Sequence, residues 1–185
     1  MRSLLVALAA LTLVAAPAHA QREAKHQGFW IGFGLGGGYN LADFAAGGRG
    51  GVGVYLRMGG TVSQRVLLGG ELSGWARDRN GATFAESGIM GIVTFYPAGR
   101  GVFLKGGAGF AGWSSTASSG GTSISSTAAG FAGTAGVGYD LQIGTNLFLT
   151  PNVDFLYHTL SSDNIVWANI SSGAVLLFTL GLTWH

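Results

Sequence analysis

Nucleophilic chemistry has one place to reside in this sequence. A hydroxyl nucleophile needs an imidazole base and an orienting carboxylate within hydrogen-bond reach. His19 lies in the N-terminal Ala18-His19-Ala20 tripeptide, His26 stands ahead of the first periodic segment, and His185 is the last residue given. That leaves His158, followed by Thr159, Ser161 and Ser162, with Asp163 close behind. No glutamate follows Glu86, and His158 has the parity of the polar face of its segment, as a histidine sharing a polar network would. No pair of histidines, and no histidine with a carboxylate, recurs at metal-ligand spacing. "GFGLGG" contains a G-x-G, but no helical pattern follows to bind a dinucleotide. No catalytic, metal or cofactor residue is therefore expected. The chemistry on offer is ion pairing: Arg57, Glu71, Lys105, Asp140 and Asp154 each sit inside an apolar run, where a charge without a partner is costly.

The elements that must position these charges read as strands. Apolar side chains alternate in eight runs, and no helical period persists beyond about two turns. The first carries Phe29, Ile31, Phe33 and Leu35, and the second Val52, Val54, Leu56 and Met58. Val66, Leu68 and Leu72 form the third, Ile89, Val93 and Phe95 the fourth, Val102, Leu104, Ala108 and Phe110 the fifth. Phe131 to Ile143 and Leu147 to Tyr157 hold the sixth and seventh; Ala174, Leu176, Phe178, Leu180, Leu182 and Trp184 make the eighth. Successive strand side chains point to opposite faces. All five charges have the parity the apolar set avoids, and counting back to the nearest turn places them in one layer near mid-height. Glycines at that parity, such as Gly34, Gly107, Gly136 and Gly138, leave room for Trp30, Tyr55, Trp75 and Trp113. Leu67, Met90, Ile92, Phe148, Leu156, Val175 and Leu177 share the inward parity, as packing or as the lining of a small-solute path.

Connections alternate in length. "ADFAAGGRG", "RDRNGATFAES", "SSTASSGGTSISST" and "LSSDNIVWANISS" are long and polar, whereas "GGTVSQ", "PAGRG" and "GTN" are short. Long loops at one end and short turns at the other describe an outer-membrane barrel, apolar outside and polar within. Phe29, Phe95 and Trp184 at one end, and Phe110, Phe131 and Tyr157 at the other, have the outward parity of interfacial girdles. Composition agrees: charged residues are 10% of the 185 and glycines number 34, against roughly 25% and 7% in soluble domains. Ten Lys and Arg against eight Asp and Glu make no electrostatic footprint for nucleic acid. Residues 1–20 read as an export signal: Arg2, an apolar stretch from Leu4 to Ala16, then Ala18-His19-Ala20 for cleavage. The barrel domain is expected over 21–185. There is no cysteine, so no disulfide supports it.

These segments together resemble the small eight-stranded outer-membrane barrels, the family of OmpX, OmpW and the N-terminal domain of OmpA. "LFLTPNVDFLYH" is similar to that family's Pro-containing seventh strand. "AVLLFTLGLTWH" looks like its C-terminal assembly signal, carried here by Phe178, Leu180, Leu182 and Trp184, with His185 added beyond the aromatic. The resemblance implies an all-β, antiparallel up-and-down transmembrane barrel in the outer membrane. It also implies lipid, lipopolysaccharide and the barrel-assembly machinery as partners. Arg57, Glu71, Lys105, Asp140 and Asp154 would be its lumenal ion network, with His158 at the rim or in the lumen. The expected role is non-enzymatic: envelope structure or surface contact through long loops over a plugged lumen, with an unidentified loop partner. The alternatives are an OmpW-like pore or hydrophobic-solute conduit, a soluble lipocalin-like barrel, and a lipid-modifying enzyme. The lipid A deacylases use a His-x-Ser spacing that this sequence lacks.

Overall fold

The computed structural model describes residues 26–41, 50–79, 81–119, 122–161 and 172–185. The proposed signal and the partners Ser162 and Asp163 lie outside them. Eight strands follow in order: β1 (Phe29–Asn40), β2 (Gly50–Ser63), β3 (Val66–Arg79), β4 (Ala82–Phe95), β5 (Val102–Ser119), β6 (Thr122–Tyr139), β7 (Leu147–Ser161) and β8 (Ser172–Trp184). The piece Leu141–Gln142 continues β6 past Asp140 and pairs with the same neighbour, β7. Each strand pairs antiparallel with the next. β1 closes the ring on β8, from Ile31↔Trp184 to Asn40↔Val175. No sheet edge remains, which is what allows strands to sit in hydrocarbon. No helix among the described residues is long and apolar enough to span a membrane, so any crossing belongs to the strands.

Alternation sorts the two faces. Leu35, Ile89, Phe110, Phe131 and Leu180 are exposed on the outside, Phe131 by 70%. Trp30, Leu67, Met90, Ile92, Phe148, Leu156, Val175 and Leu177 are buried within. Glycine gives these interior groups room. A Cβ on Gly34 would come 2.3 Å from the Tyr55 ring, and one on Gly138 would come 2.3 Å from Phe103. The six expected girdle aromatics are all exposed, and Phe110 and Phe131 face each other across β5 and β6 with ring centroids 5.7 Å apart.

Short turns gather at one end. Ser63 Oγ accepts the N–H groups of Arg65 (3.3 Å) and Val66 (3.1 Å), closing the β2–β3 turn as a serine side chain does in tight turns. At the opposite end the structure corrects two of the four long connections. "RDRNGATFAES" is strand almost throughout, paired out to Arg79↔Ala82, and Gly81 adopts φ 78°, the left-handed backbone that glycine supplies in tight hairpins. "SSTASSGGTSISST" is likewise strand, paired out to Ser119↔Thr122. Polarity had marked these segments as loops, but outside the membrane a strand needs no apolar face.

Candidate functional site

Closure converts inward parity into three tiers of buried polar groups. In the middle tier, Arg57 on β2 and Glu71 on β3 are cross-strand partners. Lys105 on β5 reaches across the interior to bond Glu71 Oε2, and its Nζ lies 2.9 Å from Asp154 Oδ1 on β7. Arg57 donates to Asn152 Oδ1 (3.1 Å), whose own amide donates to Asp154 Oδ2 (2.6 Å) and Thr179 Oγ1 (2.9 Å). The guanidinium therefore meets its carboxylate through an amide, and it lies 4.1 Å from the centroid of Tyr55 beneath it. Such a planar cation is suited to stacking. This tier holds two cations and two carboxylates. It is neutral.

Asp140 is not in it. β6 breaks there: the Asp140 N–H bonds Gly101 O (2.9 Å), and the strand resumes at Leu141 opposite Leu149. The carboxylate drops toward the short-turn end, where Oδ2 accepts the Tyr96 hydroxyl (2.6 Å) and Oδ1 accepts Thr150 (2.7 Å). Around it lie His185, with Nε2 3.9 Å from Asp140 Oδ2, and His26, whose ring centroid is 4.5 Å from that of His185. His26 is pinned to the β2–β3 turn: its N–H donates to Gln64 Oε1 (3.1 Å), Gln64 Nε2 donates to its carbonyl (2.9 Å), and its Nδ1 meets Gln64 O at 3.2 Å. Burial, then the neighbouring His185, hold the His26 imidazole below the usual histidine range.

The third tier faces the long-loop end. Glu86 on β4 accepts Asn40 Nδ2 (2.6 Å), and its Oε2 lies 3.6 Å from His158 Nδ1. His158 is thus buried beside a carboxylate, while Thr159 points outward and is exposed. The sequence reading missed Glu86 as a lumenal group, although its parity against Ile89 and Val93 was available. It also missed Asn40, Tyr96, Thr150 and Asn152. No sequence signal brings His26 and His185 together, because only ring closure does so.

The middle tier leaves no slack. A Cβ on Gly136 would come 1.9 Å from Asp154 Oδ1, so Gly136→Ala is expected to displace that carboxylate from Lys105. Overpacking of this kind costs about 1–3 kcal/mol, to be read as a lowered urea midpoint in detergent micelles.

A closed antiparallel ring with an apolar exterior and a sequestered ionic interior defines a transmembrane barrel of the bacterial outer membrane. The chain belongs to the outer membrane protein beta-barrel domain family, which matches it over residues 6–184, and its location is the outer membrane. That sets aside the soluble lipocalin-like alternative. Among solved structures, Ail, the attachment invasion locus protein of Yersinia pestis, is similar at TM-score 0.62 and 16% identity, covering 85% of this chain and 98% of Ail. Neisserial surface protein A is similar at TM-score 0.58 and 12% identity, covering 84% of this chain and 96% of its own. The N-terminal β-barrel domain of Pseudomonas aeruginosa OprF follows at TM-score 0.50 and 16% identity, covering 85% and 97%. At such identities the likeness is one of fold. No curated protein matches the sequence.

Proposed function

We propose that this barrel is a non-enzymatic envelope protein, closed to solutes, that acts at its long-loop end. The observation that carries the reading is the middle tier: Lys105, Glu71, Asp154, Asn152 and Arg57 bond to one another across the interior from β2, β3, β5 and β7. Opening a water path there would break a neutral, ion-paired set, which is costly once the groups are desolvated. Trp30, Leu67, Phe103 and Leu156 fill the adjoining space as one buried cluster.

Surface contact would then fall to the β3–β4 and β5–β6 hairpins and to the connections 42–49 and 162–171, with the partner unidentified. Lipopolysaccharide is proposed as the lipid around the outer rim. The barrel-assembly machinery is proposed to read the end of β8, where Phe178, Leu180, Leu182 and Trp184 alternate outward with buried Thr179, Gly181 and Thr183. Residues 1–20 are proposed as the export signal and 21–185 as the mature barrel.

Planar-bilayer recording of the purified protein tests the reading. It should show no steady single-channel openings. Stable, ohmic openings would replace it with the narrow-pore alternative.

A further inference from the structure

We propose that His26, Asp140 and His185 form a binding site for a divalent transition-metal ion of the zinc class at the short-turn mouth of the barrel. One ligand atom from each residue lies within 4.8 Å of the others, and all three side chains are buried. Both ring nitrogens of His185 are buried without a hydrogen-bond partner among the described residues, an arrangement that native interiors rarely leave unanswered. His185 Nε2 and Asp140 Oδ2, at 3.9 Å, are too far apart for a hydrogen bond. Two atoms bound to one tetrahedral zinc at about 2.1 Å stand roughly 3.4 Å apart, so this pair needs to close by only about half an ångström.

The surroundings suit ligands. His26 Nδ1 faces Gln64 O. A proton there fixes the tautomer and leaves the Nε2 lone pair for a metal, as carbonyl partners of metal-bound histidines do. Asp140 is oriented by Tyr96 and Thr150, one hydroxyl to each oxygen. A cavity of about 10 Å³, bordered by Tyr96, Asp140, Thr150, Thr183 and His185, adjoins the site. That is the room one water-sized occupant needs. Arg57 also borders it, but its guanidinium is committed to Asn152 and the Tyr55 ring.

Two imidazoles and one carboxylate favour zinc and its first-row neighbours over magnesium or calcium, which want oxygen alone. The three residues come from ahead of β1, from the break in β6 and from the end of β8. A bound ion would join the flanks of β1 and β8 across the seam where the ring closes. The expectation of no metal site rested on spacing along the sequence, which cannot register groups that ring closure brings together.

The test uses the untagged chain, folded in detergent, stripped with a chelator and dialysed against Zn²⁺. Elemental analysis should return one zinc per chain, and Co²⁺ loading should give a ligand-field absorption band in the visible. His26→Gln, which keeps the two backbone bonds to Gln64 and is checked for folding by its gel shift on boiling, should weaken Zn²⁺ binding at least tenfold and abolish the band. His158→Gln, in the far tier, should leave both unchanged. Added Zn²⁺ should raise the thermal midpoint of the parent chain but not that of His26→Gln. A folded parent that retains no zinc overturns the proposal. So does His26→Gln binding as well as the parent, or a loss of binding in His158→Gln.

Discussion

Lys105→Met is expected to destabilise the folded barrel by about 3–5 kcal/mol, the cost of stripping one partner from a buried ionic set. The lysine ammonium is fully buried and bonds Glu71 and Asp154 together. Without it, two desolvated carboxylates face each other, and Arg57, opposite Glu71 and linked to Asp154 through Asn152, is the one cation left in the tier to balance both. The same reasoning makes the double change Lys105→Met with Glu71→Gln much milder, since Arg57 and Asp154 remain and the tier stays neutral. Arg57→Met should fall between, because Lys105 still neutralises part of the tier. Urea titration in micelles, followed by tryptophan fluorescence, measures all three. A Lys105→Met barrel within about 1 kcal/mol of its parent would mean that water fills the tier and that its ions are not desolvated.

The second large effect is on the outer face. Leu180 lies in β8 between Leu35 and Pro151 of its neighbours, with 54% of its surface exposed. In a lipid-facing position at the bilayer midplane, Leu180→Arg should cost about 2–4 kcal/mol. Val137→Arg should behave alike, its neighbours being Leu104 and Val153. Val62, equally outward but beside the β2–β3 turn, should tolerate arginine at about 0–1 kcal/mol, since the penalty fades toward the interface. A flat response across the three sites would show that this face does not meet hydrocarbon.

Much of this architecture was legible because a strand's two-residue period is strict: a charge at the wrong parity is an interior charge once the sheet closes. Arg57, Glu71, Lys105 and Asp154 could be placed inward on that rule alone. Height along the barrel was less readable. Asp140 was expected beside the other four, but the break in β6 moves it into a different neighbourhood, and no residue pattern marks that break. Hairpin length was misread for the same reason that alternation works: it reports a face against lipid or core, and the β5–β6 ends have neither. The His26, Asp140 and His185 grouping was out of reach, since its members meet only after β8 finds β1.

The long β5–β6 pair has a mechanical consequence. Each strand has 18 residues, which at about 3.4 Å per residue and a 40° tilt rises roughly 47 Å, against an apolar band of about 25 Å. About 20 Å of prestiffened ribbon therefore lies beyond the apolar band. A molecule that docks on it need not freeze a floppy segment first, so less of the contact energy is consumed by ordering.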